Sequence, residues 1–254
     1  MRFCATADTD IGTTKSTNQD SALIKHASYQ GAEVMMAIIC DGMGGLAKGE
    51  LASATVIRRF SDWFDRELPY ELQVPDMSVI GEKWSLMLKD LNVKIIQYAQ
   101  QNGIASMGTT FSGILFVGDS YVIVHVGDSR IYHIGQTLSQ LTEDQTFIAR
   151  EIQRGTMTLE QAKTDKRRNL LLQCVGASAV VEPQVLVGRA VPGTYMLCSD
   201  GFRHEITEQE IYGALNPAVL VSKDVMHANA QSLIEADKAR GERDNITAVL
   251  VKAE

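Results

Sequence analysis

The chain has 254 residues, 45% of them apolar and 22% charged, with four cysteines and a net charge of −7. That balance is ordinary for a globular protein, and the negative charge argues against nucleic acid or an anionic membrane surface as the main partner. Cys4, Cys40, Cys174 and Cys198 show no C-x-x-C spacing and read as buried, reduced thiols. The first residues, MRFCATADTD, lack the apolar core of a signal peptide. The longest apolar runs, VMMAIIC and GILFV, are strand-length, so the expectation is a cytoplasmic chain with no membrane segment.

In chain order, Arg2–Ala7 and Glu33–Cys40 read as strands. Two helices follow: Val56, Phe60, Trp63 and Phe64 fall on one face, and Ile80, Trp84, Leu88, Leu91, Ile95 and Tyr98 recur at three- and four-residue spacing, as core positions do. Strands are then expected at Thr109–Val117, Tyr121–Val126, Arg130–Ile134, Gln184–Val191 and Tyr195–Cys198. Thr207 and Glu210 form a capping box opening a short helix. A longer helix runs from about Ser222 to Ala239, stopping near Gly241, before a last strand at Ile246–Val251. The short connections Gly118-Asp119, Gly135-Gln136 and Pro192-Gly193 suit antiparallel hairpins and not parallel crossovers. With no repeat or linker, residues 1–254 read as one α+β domain of antiparallel sheets covered by helices.

Aspartate recurs at the ends of these strands beside Gly, Ser or Asn: NQD (Asp20), CDG (Asp41), VGDS (Asp128), CSDG (Asp200) and RDN (Asp244). One such site is an ordinary turn. Five gathered at one sheet end would repel one another, and a cation would relieve that. All-oxygen ligation favours Mg²⁺ or Mn²⁺ over zinc. DGMGGLAKG fits neither phosphate-binding glycine pattern. ATADTDIGT is similar to the nucleophile motif of haloacid-dehalogenase-type phosphatases, with Asp8 as nucleophile. Gly12 stands there in place of Thr, and the parallel βαβ order is lacking.

From about Phe3 to Val251 the chain resembles the metal-dependent Ser/Thr protein phosphatases (PPM, or type 2C) of bacteria, through GTTKSTNQD, ICDGMGG, MGTT, VGDSR, LTEDQT, LCSDGF and RDNIT in order. The resemblance implies a four-layer α-β-β-α sandwich with two Mn²⁺ or Mg²⁺ ions in a cleft at one end and a third, weaker ion. It implies that Asp41 bridges two metals with the Gly42 carbonyl, that Asp200 and Asp244 ligate one, and that Asp20 lies in the shell of the other. Asp128 would serve the third ion with Asp200. Asn245, Gly127, Ser129 and Ser199 would be supports, and a metal-activated water would attack phosphorus without a covalent intermediate.

Three positions depart from the family's pattern. Lys15 stands where a phosphate-binding arginine is expected, Met43 where some relatives have a histidine acid, and His204 where an acid often follows the SDG motif. Lysine is a point charge and cannot form the planar bidentate pair. His204 is a candidate proton donor or third-metal ligand, with a plain turn histidine as the alternative. The segment 144–176 aligns with a mobile flap and carries Lys163, Lys166, Arg167 and Arg168, either a solvated face or a dock for an acidic phosphoprotein segment. The implied function is a monomeric phosphoserine/phosphothreonine protein phosphatase opposing a bacterial Ser/Thr kinase; a catalytically weak phosphoprotein-binding module is the rival.

Overall fold

The structure, a computed structural model, describes residues 1–43, 48–168 and 170–254. Gly44 and Gly45 of the ICDGMGG turn lie outside them. The first sheet takes β1 (Phe3–Asp10), β6 (Arg130–Ile134), β7 (Leu138–Gln140), β9 (Gly193–Cys198) and β10 (Ile246–Ala253), in the order β1-β10-β9-β6-β7. The second takes β2 (Ser21–Tyr29), β3 (Ala32–Cys40), β4 (Phe111–Val117), β5 (Ser120–Val126) and β8 (Gln184–Arg189), in that order. Every pairing between these strands is antiparallel. That excludes the parallel order of the dehalogenase-type reading.

Strand β3 shows why the two sheets stack. Its run AEVMMAIIC is apolar on both faces because both are covered. Met35, Ala37 and Ile39 join Phe116, Ile123, Tyr195 and Val249 in the layer between the sheets. Val34, Met36 and Ile38 point the other way, onto α1 (Gly49–Arg66) and α3 (Met77–Gln101). On the opposite outer face, α6 (Glu208–Leu215) and α7 (Lys223–Ala239) cover β9 and β10 through Ile211, Leu215, Met226 and Ile234. Layers therefore run helix, sheet, sheet, helix. A short helix α2 (Leu68–Glu71) joins α1 to α3, and α4 (Phe147–Gln153) and α5 (Leu159–Thr164) lie in the expected flap segment.

The helix patterns hold with one exception. Val56, Phe60, Trp63, Ile80, Trp84, Leu88, Leu91 and Ile95 are buried, but Tyr98 is exposed: in the last turn of α3 the neighbouring Ala99 takes the buried position. The Thr207–Glu210 capping box and the Ser222 cap form as the sequence indicates. Cys40, Cys174 and Cys198 are buried free thiols, whereas Cys4 is half-buried on edge strand β1.

Two further corrections concern connections. Pro192-Gly193 does not close a hairpin: β8 pairs with β5 and β9 pairs with β6 and β10, so the chain changes sheets there. Gly135-Gln136 does belong to a hairpin, but its second strand is the three-residue β7. The chain also changes sheets between β1 and β2 and between β5 and β6. These crossings put the Asp20 and Asp128 loops where the sheets meet.

Candidate metal centre

Strand register brings the five aspartates to one end of the sandwich. Ser21 pairs with Cys40, so Asp20 enters β2 next to the point where Asp41 leaves β3. Phe111 pairs with Val126, which sets the Asp128 turn beside Thr110. Arg130 and Ala248 both pair with Cys198, bringing the beginning of β6, the end of β9 at Asp200 and the start of β10 after Asp244 together.

Each loop is locked by its own hydrogen bonds. The Asp41 amide donates to Thr110 Oγ1 at 2.9 Å, and its carbonyl accepts from the Thr110 amide and the Thr109 hydroxyl, both at 2.9 Å. Next to it, a Cβ on Gly42 would stand 2.5 Å from the Gln19 carbonyl and 2.6 Å from that of Gly49, so only glycine fits. Likewise a Cβ on Gly201 would meet the Asn245 carbonyl at 2.2 Å, so the turn after Asp200 closes on β10 only with glycine. Asn245 in turn staples the loop carrying Lys15 and Asp20. Its Oδ1 accepts from the Gln19 amide at 2.9 Å, and its Nδ2 donates to the carbonyls of Ile11 and Thr17. Ser129 and Ser199 are fully buried; Ser129 Oγ bonds Thr110 Oγ1 at 2.8 Å and Ser199 Oγ accepts from the Thr247 amide at 3.0 Å. Their hydroxyls hold turns and do not face a substrate.

The electrostatics are those of crowded anions. Burial pushes the Asp41 carboxyl well above its ordinary value of 3.8, and Asp20, Asp200, Asp128 and Asp244 push it further. Burial, reinforced by Asp200 and Asp244 and only partly offset by the Thr247 and Ser199 hydroxyls, raises Asp20 to about 7. Asp128 is also raised to about 7, by burial and by Asp200, against the pull of Arg203. Both Asp20 oxygens are buried without a well-formed hydrogen bond among the described residues. Thr247 Oγ1 is instead bonded to Thr9 and Ser199 Oγ to the Thr247 backbone. Such an orphaned carboxylate is costly unless something positive meets it.

The other two carboxylates have partners. Asp244 Oδ1 lies 2.7 Å from Lys15 Nζ, and Asp200 Oδ2 lies 3.6 Å from His204 Nε2. His204 Nδ1 is bound to Glu242 Oε2 at 2.9 Å. With side chains so engaged, no three His, Cys, Asp or Glu side chains among the described residues converge as a finished ligand set. The all-oxygen donors, the mutual repulsion and the orphaned Asp20 nevertheless fit a hard divalent cation, which Asp244 and Asp200 would join by small rotations.

Glu242 carries no motif signal, yet it organises the loop. Buried itself, it accepts from the amides of Arg243 at 2.6 Å and Asp244 at 2.7 Å while its other oxygen holds His204. The flap root is a second such feature. Asp144 makes a bidentate pair with Arg130 at 2.8 and 2.6 Å, and Arg203, which donates to the Asp128 carbonyl at 3.1 Å, stands 4.0 Å from it. Arg130 and Asp144 fall within the VGDSR and LTEDQT motifs, but their pairing, and the part of Arg203, show only across the fold. Asp8, the dehalogenase candidate, is buried in mid-β1 with His227 Nδ1 at 2.5 Å and takes no part in this cluster.

A groove of about 1080 Å³ runs from the aspartates to the expected flap. Lys15, Asp128, Asp200, His204, Arg243 and Asp244 line one end, and Ile148, Ile152, Leu159 and Arg168 the other. The basic run divides: Arg168 reaches this groove, while Arg167 is held by Asp165 and lies over the Phe147 ring at 4.1 Å. The Lys163 side chain lies outside the described residues.

A family model for protein phosphatase 2C matches residues 12–235. The serine/threonine phosphatase stp of Listeria welshimeri is 31% identical over 252 residues, 96% of this chain and 93% of that protein. In three dimensions the chain superposes on Staphylococcus aureus serine/threonine phosphatase Stp1 with a TM-score of 0.86 and 28% identity, covering 100% of this chain and 96% of that one. It also superposes on the catalytic domain of the serine/threonine protein phosphatase PstP in complex with two manganese ions, with a TM-score of 0.77 and 28% identity over 98% and 97% of the two chains. The match over most of the chain, by sequence and by fold, makes it a member of the protein phosphatase 2C family.

Proposed function

We propose that this chain hydrolyses phosphoserine and phosphothreonine in proteins, as a monomer that opposes a Ser/Thr kinase. Two Mn²⁺ or Mg²⁺ ions would be held by Asp41, the Gly42 carbonyl, Asp20, Asp200 and Asp244, and a weaker third by Asp128 with Asp200. The observation that carries the reading is the orphaned carboxylate of Asp20, both oxygens buried, among four further strand-end aspartates, three of which line an open groove. When bound, the ions supply Lewis acidity, activating water and neutralising charge at phosphorus.

The chain's own residues do the positioning. Thr109 and Thr110 fix Asp41, and Asn245 fixes the loop of Lys15 and Asp20. Lys15, released from Asp244, offers a point charge to one phosphoryl oxygen. His204 acts on Asp200: Glu242 holds its Nδ1 at 2.9 Å, which turns Nε2 toward the Asp200 carboxylate at 3.6 Å, a contact longer than a hydrogen bond.

Hydrolysis of p-nitrophenyl phosphate and a phosphothreonine peptide, with Mn²⁺ and with chelator, tests the reading. Activity should require the metal and be lost in Asp41→Asn and Asp200→Asn with the fold intact. Chelator-resistant turnover, or turnover lost in Asp8→Asn but kept in Asp41→Asn, would sink it.

A further inference from the structure

We infer that Arg243 is a substrate-binding residue that grips the phosphoryl group of the phosphoprotein; the inference rests on the phosphatase reading above. Lys15, the cation nearest the aspartates from the N-terminal loop, has its ammonium committed to Asp244 at 2.7 Å. A lysine in that position can give a phosphate at most a point charge, and only by leaving a carboxylate that also holds it. Arg243 lines the same groove beside Asp244. Its guanidinium has no ion pair or hydrogen bond among the described residues, although the chain has more acidic than basic residues, 31 against 24.

The backbone beneath this free side chain is unusually well held. The Arg243 amide donates to Glu242 Oε1 at 2.6 Å, and its carbonyl accepts from the Thr14 hydroxyl at 2.7 Å. On one side the Glu242 carbonyl accepts from Thr13 at 2.6 Å, and on the other the Asp244 amide donates to Glu242 at 2.7 Å. A pinned Cα with an unengaged planar fork suits recognition of a phosphate monoester dianion, because little backbone freedom is lost on binding and two parallel N–H···O bonds form at once. The clamps on Arg243 come from the loops that carry Lys15 and Asp244, so the Cα that carries the fork is fixed relative to those loops.

The test uses the full chain with saturating Mn²⁺ and compares wild type, Arg243→Ala, Arg243→Gln, Arg243→Lys and the control Arg58→Ala, which removes an exposed charge from α1. Two readouts separate the sources of the same chemistry: KM and kcat for a phosphothreonine peptide, and calorimetric affinity for inorganic phosphate. Removing the fork should raise KM and weaken phosphate binding about ten- to a hundredfold, with kcat within about twofold. Arg243→Lys should recover less than half of the loss on a logarithmic scale, and Arg58→Ala should match wild type. The inference is overturned if Arg243→Ala and Arg243→Gln bind phosphate and peptide as wild type does, if Arg58→Ala loses as much, or if kcat falls while phosphate affinity stays unchanged. Metal-independent or absent hydrolysis in the wild type would instead overturn the phosphatase reading, a separate outcome.

Discussion

His204 shows how much one side chain's partners decide. By position in CSDGFRHEI it could be a proton donor, a metal ligand or a turn residue, and sequence gives no way to choose. Its place between Glu242 and Asp200 narrows the role to steadying Asp200. A residue that acts through a metal-facing carboxylate changes how much metal is needed, and does so for every substrate. His204→Ala should therefore raise the Mn²⁺ concentration for half-maximal rate several-fold, equally for p-nitrophenyl phosphate and a phosphoserine peptide. His204→Gln, which keeps one donor toward Asp200, should restore part of it. A loss confined to the phosphoserine peptide, whose leaving group is poor, would show that His204 is a proton donor instead. Glu242 was illegible for the opposite reason: a lone glutamate in GERDN looks like a solvated loop residue until its buried carboxylate is seen closing on two amides and an imidazole.

At the scale of elements, legibility followed burial. Strands covered on both faces, such as β3 and β4, announce themselves as apolar runs, and α3 announces itself by its aromatic and aliphatic stripe. The missed strands, β2 and β7, both lie at sheet edges, where one neighbour is missing and polar residues such as Lys25, His26 and Ser139 are tolerated. Strand β1 outruns its expected end because Asp8 and Asp10 stay in the ladder, each paired with a side chain of α7, the imidazole of His227 and the ammonium of Lys238. The aspartates' common end was legible from motifs, but the cross-loop clamps of Asn245, Thr13 and Thr14 needed three-dimensional closeness across more than 200 residues of chain. The α3 stripe gives a stability prediction. Trp84 is fully buried and meets Phe60 and Trp63 edge-on with centroids 5.0 and 5.3 Å apart, while its indole N–H has no partner among the described residues. Trp84→Ala should cost about 3–5 kcal/mol in denaturant unfolding. Trp84→Phe should cost well under half of that, because it retains a ring and removes an unsatisfied donor. Equal losses in the two variants would mean the cluster is held by ring size alone.

Over the whole molecule, crowded carboxylates make stability depend on pH in a direction that can be worked out. Asp20 and Asp128 titrate near 7 in the fold against an ordinary 3.8, and Asp41 is raised well above 3.8 too, in each case by burial and then by neighbouring aspartates. Asp237, buried in the last turn of α7 and repelled by Glu242, is also raised to about 7. Between about pH 4 and 7 the folded chain therefore holds more protons at these groups than the unfolded chain does. Their contribution is complete below about pH 4 and lost as pH rises through about 7. Above about pH 5, where the carboxyls lowered by cation partners such as Asp144 and Asp10 are ionised folded and unfolded alike, His125 opposes them. His125, buried between Ser112 and the Gly127 carbonyl, is lowered by burial to about 4, so it contributes stability above pH 6.5 that is lost toward pH 4. Between pH 5.5 and 8 the raised carboxyls of Asp20, Asp41, Asp128 and Asp237 outweigh the lowered imidazole of His125, which fixes the sign in that window. In chelator, the melting temperature should fall as pH is raised from 5.5 to 8, and Asp20→Asn should make the fall shallower. Saturating Mn²⁺ should raise the melting temperature most at pH 8, where the carboxylates are ionised and need no proton displaced. A melting temperature that climbs with pH in chelator, or an Asp20→Asn profile parallel to wild type, would show that the aspartates do not crowd one another as the fold places them.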